Sequence, residues 1–357
     1  MQSSGGPTKT RVYITVDVEC AEERLVRGKL QPPLGYDLRV WGRFANHDEE
    51  LGVPLIMREL EAEGLRGTFF VEPLGARFFG IDGLAAVCRS MRARGHDVQL
   101  HAHPVQQRPD FRSQRIAAPA DDLHAYSVDE QAALLQQGLD ILVEAGVPRD
   151  ELRAFRAGNF GADERTWEAM ARVGLVLSSN LNPSYAKRNC RIPWRDNGRL
   201  FDTAISADKR VFELPVSNFS DGHGGFRHLQ IMAVSLAEMK DYLQQARALG
   251  MHEVVLFTHS FELYYIDDLP RKQARVSYIN VARLRGLCRF LKEHSGEFEV
   301  DTMGALAARL ADGREQAAPA TPSPLPRAKR IYRYGRMLEQ LFKRVESGFK
   351  VQSHYSE

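Results

Sequence analysis

The sequence is short of cysteine. Its four, Cys20, Cys88, Cys190 and Cys288, are scattered with no C-x-x-C spacing. Neither a disulfide framework nor a structural zinc site is expected, and the thiols read as buried or idle groups. Long apolar runs are missing as well: no stretch reaches the roughly 18 residues that a membrane-spanning helix requires. An excess of one charge is also lacking. Lys and Arg number 48 against 46 Asp and Glu, a net charge of +2 over 357 residues, which speaks against a nucleic-acid partner. No internal repeat is visible, which excludes a solenoid or propeller. The first ten residues, MQSSGGPTKT, hold no apolar core of a signal peptide, so the expected address is the cytoplasm.

What is present is a regular alternation. Apolar runs of strand length occupy residues 11–18, 66–72, 97–101, 153–157, 175–179, 211–216, 253–259 and 297–301. Between them lie segments with helical periodicity at 54–63, 84–94, 128–145, 164–173, 236–249, 278–294 and 303–310. Ser127-Val-Asp-Glu130 is a capping box that opens one of these helices. Gly64, Gly95, Gly146, Gly174 and Gly250 follow helix ends, where a left-handed turn suits glycine. Strands alternating with helices imply a parallel sheet covered by helices, and seven or eight such units imply a closed or nearly closed barrel. An open doubly wound sheet is the alternative.

The division along the chain is a short N-terminus at 1–10, one catalytic-sized domain at 11–312, a Pro/Ala linker at 313–326 and a tail helix at 327–357. Residues 327–350 hold eight Lys/Arg against two Glu, +6, which leaves the rest of the chain at −4. In the tail Ile331, Tyr334, Leu338, Leu341, Val345 and Phe349 recur at three- and four-residue spacing, an apolar stripe on a basic helix. Such a helix binds an anionic membrane surface, or docks on the domain or a second subunit.

Chemistry concentrates at strand ends. Asp17 and Glu19 are i and i+2, so in a strand they point to one face, and two adjacent buried carboxylates are best explained by a bound cation. One of them facing solvent is the simpler alternative. His101 and His103 are again i and i+2, with Pro104 favouring an extended conformation at His103, and two imidazoles on one face form half of a metal site. Arg156, in Ala154-Phe-Arg-Ala-Gly158, and His259, in Val254-Val-Leu-Phe-Thr-His-Ser260, also stand at the carboxyl ends of their strands. Barrel enzymes place their catalytic groups there.

Thr15-Val-Asp-Val-Glu19, Gly67-Thr-Phe-Phe-Val71, Gly95-His-Asp-Val-Gln-Leu-His101, Phe155-Arg-Ala-Gly158 and Leu256-Phe-Thr-His259 stand in the order of the polysaccharide deacetylase motifs. Over residues 11–310 the sequence resembles that family, also called NodB-homology or carbohydrate esterase family 4, in a branch with an Asp-x-Glu first motif. The resemblance implies an α/β fold, a distorted (β/α)7 barrel. It implies that Asp17 is the catalytic base, Glu19 and His101 are metal ligands, Arg156 orients the base and His259 is the general acid. Where the family places its second histidine, four residues after the first, stands Val105, and His103 is taken as the substitute ligand. The family's acidic and Trp motif on the fifth strand is absent, with Ser178-Ser-Asn180 in its place.

The expected function is metal-dependent hydrolysis of an N-acetyl or N-formyl group on an amino sugar in cell-surface glycan synthesis, with one divalent metal ion, zinc being the first choice. A cytoplasmic enzyme of this kind takes a nucleotide-linked, lipid-linked or oligosaccharide substrate, and oligomerisation is left open. Trp41, Trp194 and Tyr264, with Tyr265, stack on sugar rings or else anchor loops, and His223 and His228 are further candidates for a ligand. Two other readings stay open: a non-sugar C–N amidohydrolase of the same fold, and a non-catalytic glycan-binding or scaffold protein.

Overall fold

The computed structural model describes residues 9–346, apart from 27, 187, 195–197, 206–209, 221–224 and 318–323. His223 and Phe349 thus lie outside the described residues.

The strand β1 (Thr10–Val18, TRVYITVDV) is rich in β-branched residues and almost wholly buried. Val12, Ile14, Val16 and Val18 share one face, which suits a central parallel strand covered by helices, while Tyr13, Thr15 and Asp17 share the other. The other strands of the main sheet are β2 (Thr68–Val71), β3 (Asp97–Ala102), β4 (Ala154–Ala157), β5 (Leu177–Ser178), β6 (Phe201–Asp202), β7 (Phe212–Glu213), β8 (Glu253–His259) and β9 (Phe298–Val300). Their spatial order is β8-β1-β2-β3-β4-β5-β7-β6, with β9 also beside β1. All pairings are parallel except β6 with β7.

The two ends of this curled sheet are joined by irregular chain rather than by a further regular strand. The Ser217 N–H donates to the Val255 carbonyl at 3.2 Å, and the Ile231 N–H donates to the Phe257 carbonyl at 3.0 Å. The result is the distorted barrel expected from the alternation, not the open doubly wound sheet.

Helices follow the apolar periodicity closely: α1 (Val53–Glu61), α2 (Ile81–Ala93), α3 (Val128–Glu144), α4 (Glu164–Arg172), α5 (Leu236–Ala248), α6 (Tyr278–Glu293) and α7 (Met303–Ala311). The Ser127 capping box is present, and Asp163 and Ser235 open α4 and α5 with two more. Each satisfies backbone donors that the first helical turn leaves unpaired. Gly138 lets α3 approach the sheet, since a Cβ there would stand 2.9 Å from Leu100.

Two stretches between the expected strands and helices fold further. Asn218–Ser220 pairs with Phe226–His228, and Tyr264–Asp268 with Gln273–Val276, as antiparallel hairpins. A third hairpin joins Arg24–Val26 to Lys29–Gln31. The hairpin at Tyr264 packs over the first loop in a small separate core of Phe44, Leu51, Phe261, Tyr264 and Ala274.

The tail forms α8 (Arg330–Glu346). Just before it the chain runs along the 218–228 hairpin, with Ser220 N–H donating to the Pro326 carbonyl at 3.0 Å. Among the described residues, no helix is long and apolar enough to cross a membrane.

Candidate active site

Strand register sets the site. Asp17 is paired with His259 across β1 and β8, and His101 with Arg156 across β3 and β4. Asp17 is also level with Phe70 on β2 and hence with Gln99 on β3, so the His101–Arg156 pair stands two residues further along. All four side chains gather near the carboxyl end of the sheet, the position barrel folds reserve for chemistry.

Arg156 is completely buried. Its guanidinium donates to Asp17 Oδ1 at 2.9 Å, to Thr15 Oγ1 at 2.8 Å, and to Ser179 Oγ at 3.0 Å. One flank of the guanidinium lies over the Phe70 ring, 4.4 Å from its centroid. A buried charge is tolerated only when paired and fully hydrogen-bonded, and this one is. Ser179 lies where the family-like acidic motif is missing, and its hydroxyl and carbonyl complete the shell around Arg156.

The histidine half is assembled by backbone and by a loop carboxylate. His101 Nδ1–H donates to the Arg156 carbonyl at 2.8 Å, which leaves Nε2 turned towards Glu19, 3.7 Å away. His103 has the extended backbone expected before Pro104, with φ −115° and ψ 101°. Its Nδ1–H donates to Asp121 Oδ2 at 2.7 Å, and its Nε2 lies 2.7 Å from Glu19 Oε2. Asp121 is itself held by the Val105 N–H at 3.2 Å and by Asn159 Nδ2 at 2.7 Å. Val105 therefore serves the site through its backbone. It anchors the carboxylate that aims His103.

Gly158 completes this corner. A Cβ there would come within 2.4 Å of the His103 ring.

One donor atom from each of Glu19, His101 and His103 lies within 4.8 Å of the others, and all three residues are buried or nearly so. In both histidines Nδ1 is committed to an oxygen acceptor, which fixes the tautomer and presents Nε2. That is how histidines are prepared for a metal. An oxygen and two imidazole nitrogens suit a borderline divalent ion, so the residues present fit a metal centre. Burial alone would push Glu19 up, but His103 and His101 hold its carboxyl well below the usual range. Burial pushes His103 down, yet Asp121 and Glu19 on either side raise it well above the usual imidazole value.

His259 faces the same space from the other side, with Nε2 4.0 Å from Asp17 Oδ2. Its Nδ1–H donates to the fully buried Glu262 at 2.6 Å. Glu262 also accepts from Thr258 Oγ1 at 2.5 Å and from Gln230 Nε2 at 2.6 Å. Burial lowers the His259 pKa, but the Glu262 charge outweighs it and the net shift is upward.

Three aromatic candidates are placed differently from a sugar-stacking role. Tyr264 is buried in the small core, its hydroxyl donating to the Leu38 carbonyl at 2.8 Å, and Trp41 is buried in the main core with Arg43 over its ring. Neither offers an open ring face, so both anchor loops, and the same holds for the buried Tyr265. Trp194 is half-buried against the core and Phe226. His228 is not part of the Glu19 cluster. Its Nε2 bonds to Gln230, its ring stacks on Tyr185, and burial pushes its pKa down to about 4.

Asp121, Glu262, Ser179 and Asn159 were not anticipated from the sequence. Glu262, three residues after His259, carried a signal in its spacing. Asp121 lies in a polar stretch without periodicity, and only the folded loop brings it to His103.

No family model matches this sequence, and no curated protein does. Solved structures do match. A Mycobacterium smegmatis protein provisionally described as a polysaccharide deacetylase shares 18% identity with a TM-score of 0.52, over 92% of this chain and 97% of that one. A Parabacteroides distasonis protein provisionally described as a glycoside hydrolase/deacetylase shares 10% identity with a TM-score of 0.52, over 87% of this chain and 73% of that one. A 4-α-glucanotransferase from Thermococcus litoralis shares 9% identity with a TM-score of 0.53, and the match spans 95% of this chain and 47% of that enzyme. These likenesses establish the fold, a distorted α/β barrel.

Gly158→Ala is expected to push the His103 ring away from Glu19, because that ring is pinned between two carboxylates and has no slack. A crystal structure of the variant, or the imidazole nitrogen shifts of His103, measures the displacement.

Proposed function

We propose that the protein is a metal-dependent amidohydrolase that removes an acetyl or formyl group from the nitrogen of an amino sugar. The observation that carries this reading is the juxtaposition of two units. One is the Glu19, His101 and His103 donor cluster, and the other is the Arg156–Asp17 pair facing His259.

Glu19, His101 and His103 would hold one divalent ion, with zinc the first choice for this donor set. Such an ion supplies Lewis acidity, which polarises an acyl carbonyl and makes water more acidic. Asp17 accepts the proton of the attacking water. Arg156 keeps Asp17 oriented and charged, since a neighbouring cation favours the carboxylate. His259, with Nδ1–H committed to Glu262, presents Nε2 to the reacting group and donates a proton to the departing amine, which is a poor leaving group as an anion. The raised pKa of His259 keeps that proton available near neutrality.

A purely glycan-binding role leaves the buried Arg156–Asp17 and His259–Glu262 pairs without a task. Charges removed from water cost stability that apolar residues of similar shape would not. The substrate class in this reading is an amino sugar of cell-surface glycan synthesis, nucleotide-linked, lipid-linked or oligosaccharide, handled in the cytoplasm.

A panel of N-acetyl and N-formyl amino sugars, read by released acetate or formate with metal content measured on the same preparation, tests the reading. Release in proportion to bound metal supports it, and a fully metallated protein inert on every sugar sinks it. Asp17→Asn is expected to lower the rate by about 10²–10⁴ with metal content unchanged. Asp121→Ala is expected to weaken metal affinity by roughly 10–100-fold, as losing the partner of a ligating histidine does, measured by competition with a chromogenic chelator. For Glu262→Gln the sign follows from the two opposed influences on His259. Without the Glu262 charge the main influence opposing burial is gone, the histidine loses its proton at lower pH, and the alkaline limb of the kcat–pH profile moves down.

A further inference from the structure

The tail helix α8 sits on the domain the wrong way round for a helix that is part of the core. Three ion pairs join this tail to the domain. Arg283 on α6 meets Glu339 at 2.5 Å, Arg336 meets Glu238 at 3.4 Å, and Lys329, just ahead of the helix, pairs with Asp241. Arg283, Glu238 and Asp241 are buried residues of α5 and α6. The apolar side chains on the other face stand in solvent: Ile331 is 73% exposed, Tyr334 68%, Met337 52%, Leu341 56% and Phe342 67%. At 3.6 residues per turn these five share one stripe, with Arg336 and Glu339 on the opposite face.

Contiguous exposed apolar surface of this kind marks a docking face. Charge indicates for what. Residues 327–350 carry +6, and the mid-helix Glu339 is already neutralised by Arg283. A symmetric dimer through this stripe would bring two +6 segments together, which like-charge repulsion opposes. An anionic bilayer meets both features at once. It takes the apolar stripe into its headgroup boundary and attracts the flanking Lys and Arg. A helix too short and too polar to span lies flat in such a surface.

We infer that α8 is a membrane-surface anchor, its polar edge bolted to the domain by the three ion pairs and its apolar face reserved for anionic lipid. The anchored flank is also the flank of the site. Arg283 donates to the Met232 carbonyl at 2.6 Å, two residues beyond Gln230, which bonds Glu262 beneath His259. The inference does not rest on the reaction assigned to that site.

Flotation of the full-length protein with vesicles tests it, one set of phosphatidylcholine alone and one mixed with phosphatidylglycerol. The protein is expected to float with the anionic vesicles, progressively less as salt is added, and to remain behind with neutral ones. The double variant Leu341→Glu/Phe342→Glu changes two exposed residues, so its circular dichroism and elution volume are expected to stay unchanged. Its partitioning is expected to fall by about tenfold or more. Failure of the wild-type chain to float, equal binding to neutral vesicles, or undiminished binding of the double variant overturns the inference. So does a wild-type dimer that the double variant converts to a monomer without any vesicle binding, which would assign the face to a second copy.

Discussion

Everything in the site hangs on one buried cation. Arg156 is inaccessible to water, so each of its donors must find an acceptor inside the protein. The acceptors come from two other strands: Thr15 and Asp17 on β1, and Ser179 just past the end of β5, while Arg156 itself is on β4. Its backbone carbonyl does a second task, since it fixes the tautomer of His101 on β3. A single residue thus couples the carboxylate side of the site to the histidine side. Moving the guanidinium would unsettle both.

The two histidines nearest the cluster are oriented by different means, and the difference has a physical reason. His101 is inside a strand, where a neighbouring strand's carbonyl is within reach. His103 has just left the strand, beyond the last paired residue of β3. A carboxylate from a loop eighteen residues further on takes that place, steadied by Val105 and Asn159. His259, still paired with Asp17 at the end of β8, is also held by an acid, Glu262, from the turn that follows.

The fold could be read from the sequence because its elements obey local rules. The apolar strand runs, the capping box at Ser127 and the glycines after helix ends all depend on neighbours within a few residues, and the structure carries each of them. Asp17, Glu19, His101, Arg156 and His259 were visible for a related reason: a period of two and a position at a strand's end are local properties. Asp121 and Asn159 were not, because their contact with His103 is made by the path of a loop with no periodicity. The burial of Trp41 and Tyr264 escaped for the converse reason. An aromatic side chain in a polar segment has the same sequence signature whether it faces a ligand or pins a hairpin. The small core that decides the matter for Tyr264 joins residues more than two hundred positions apart, while Trp41 is claimed by the main core.

The equal height of Asp17 and His259 on adjacent strands is protected by the sequence of β1 itself. Val12, Ile14, Val16 and Val18 share one face of the strand, while Arg11, Tyr13, Thr15 and Asp17 share the other. Sliding β1 by one residue would exchange the two faces and set Arg11, Thr15 and Asp17 where the aliphatic side chains now pack, which buries polar groups without their partners. The core thus enforces the alignment that the centre needs, and a molecule that has lost the one has lost the packing of the other.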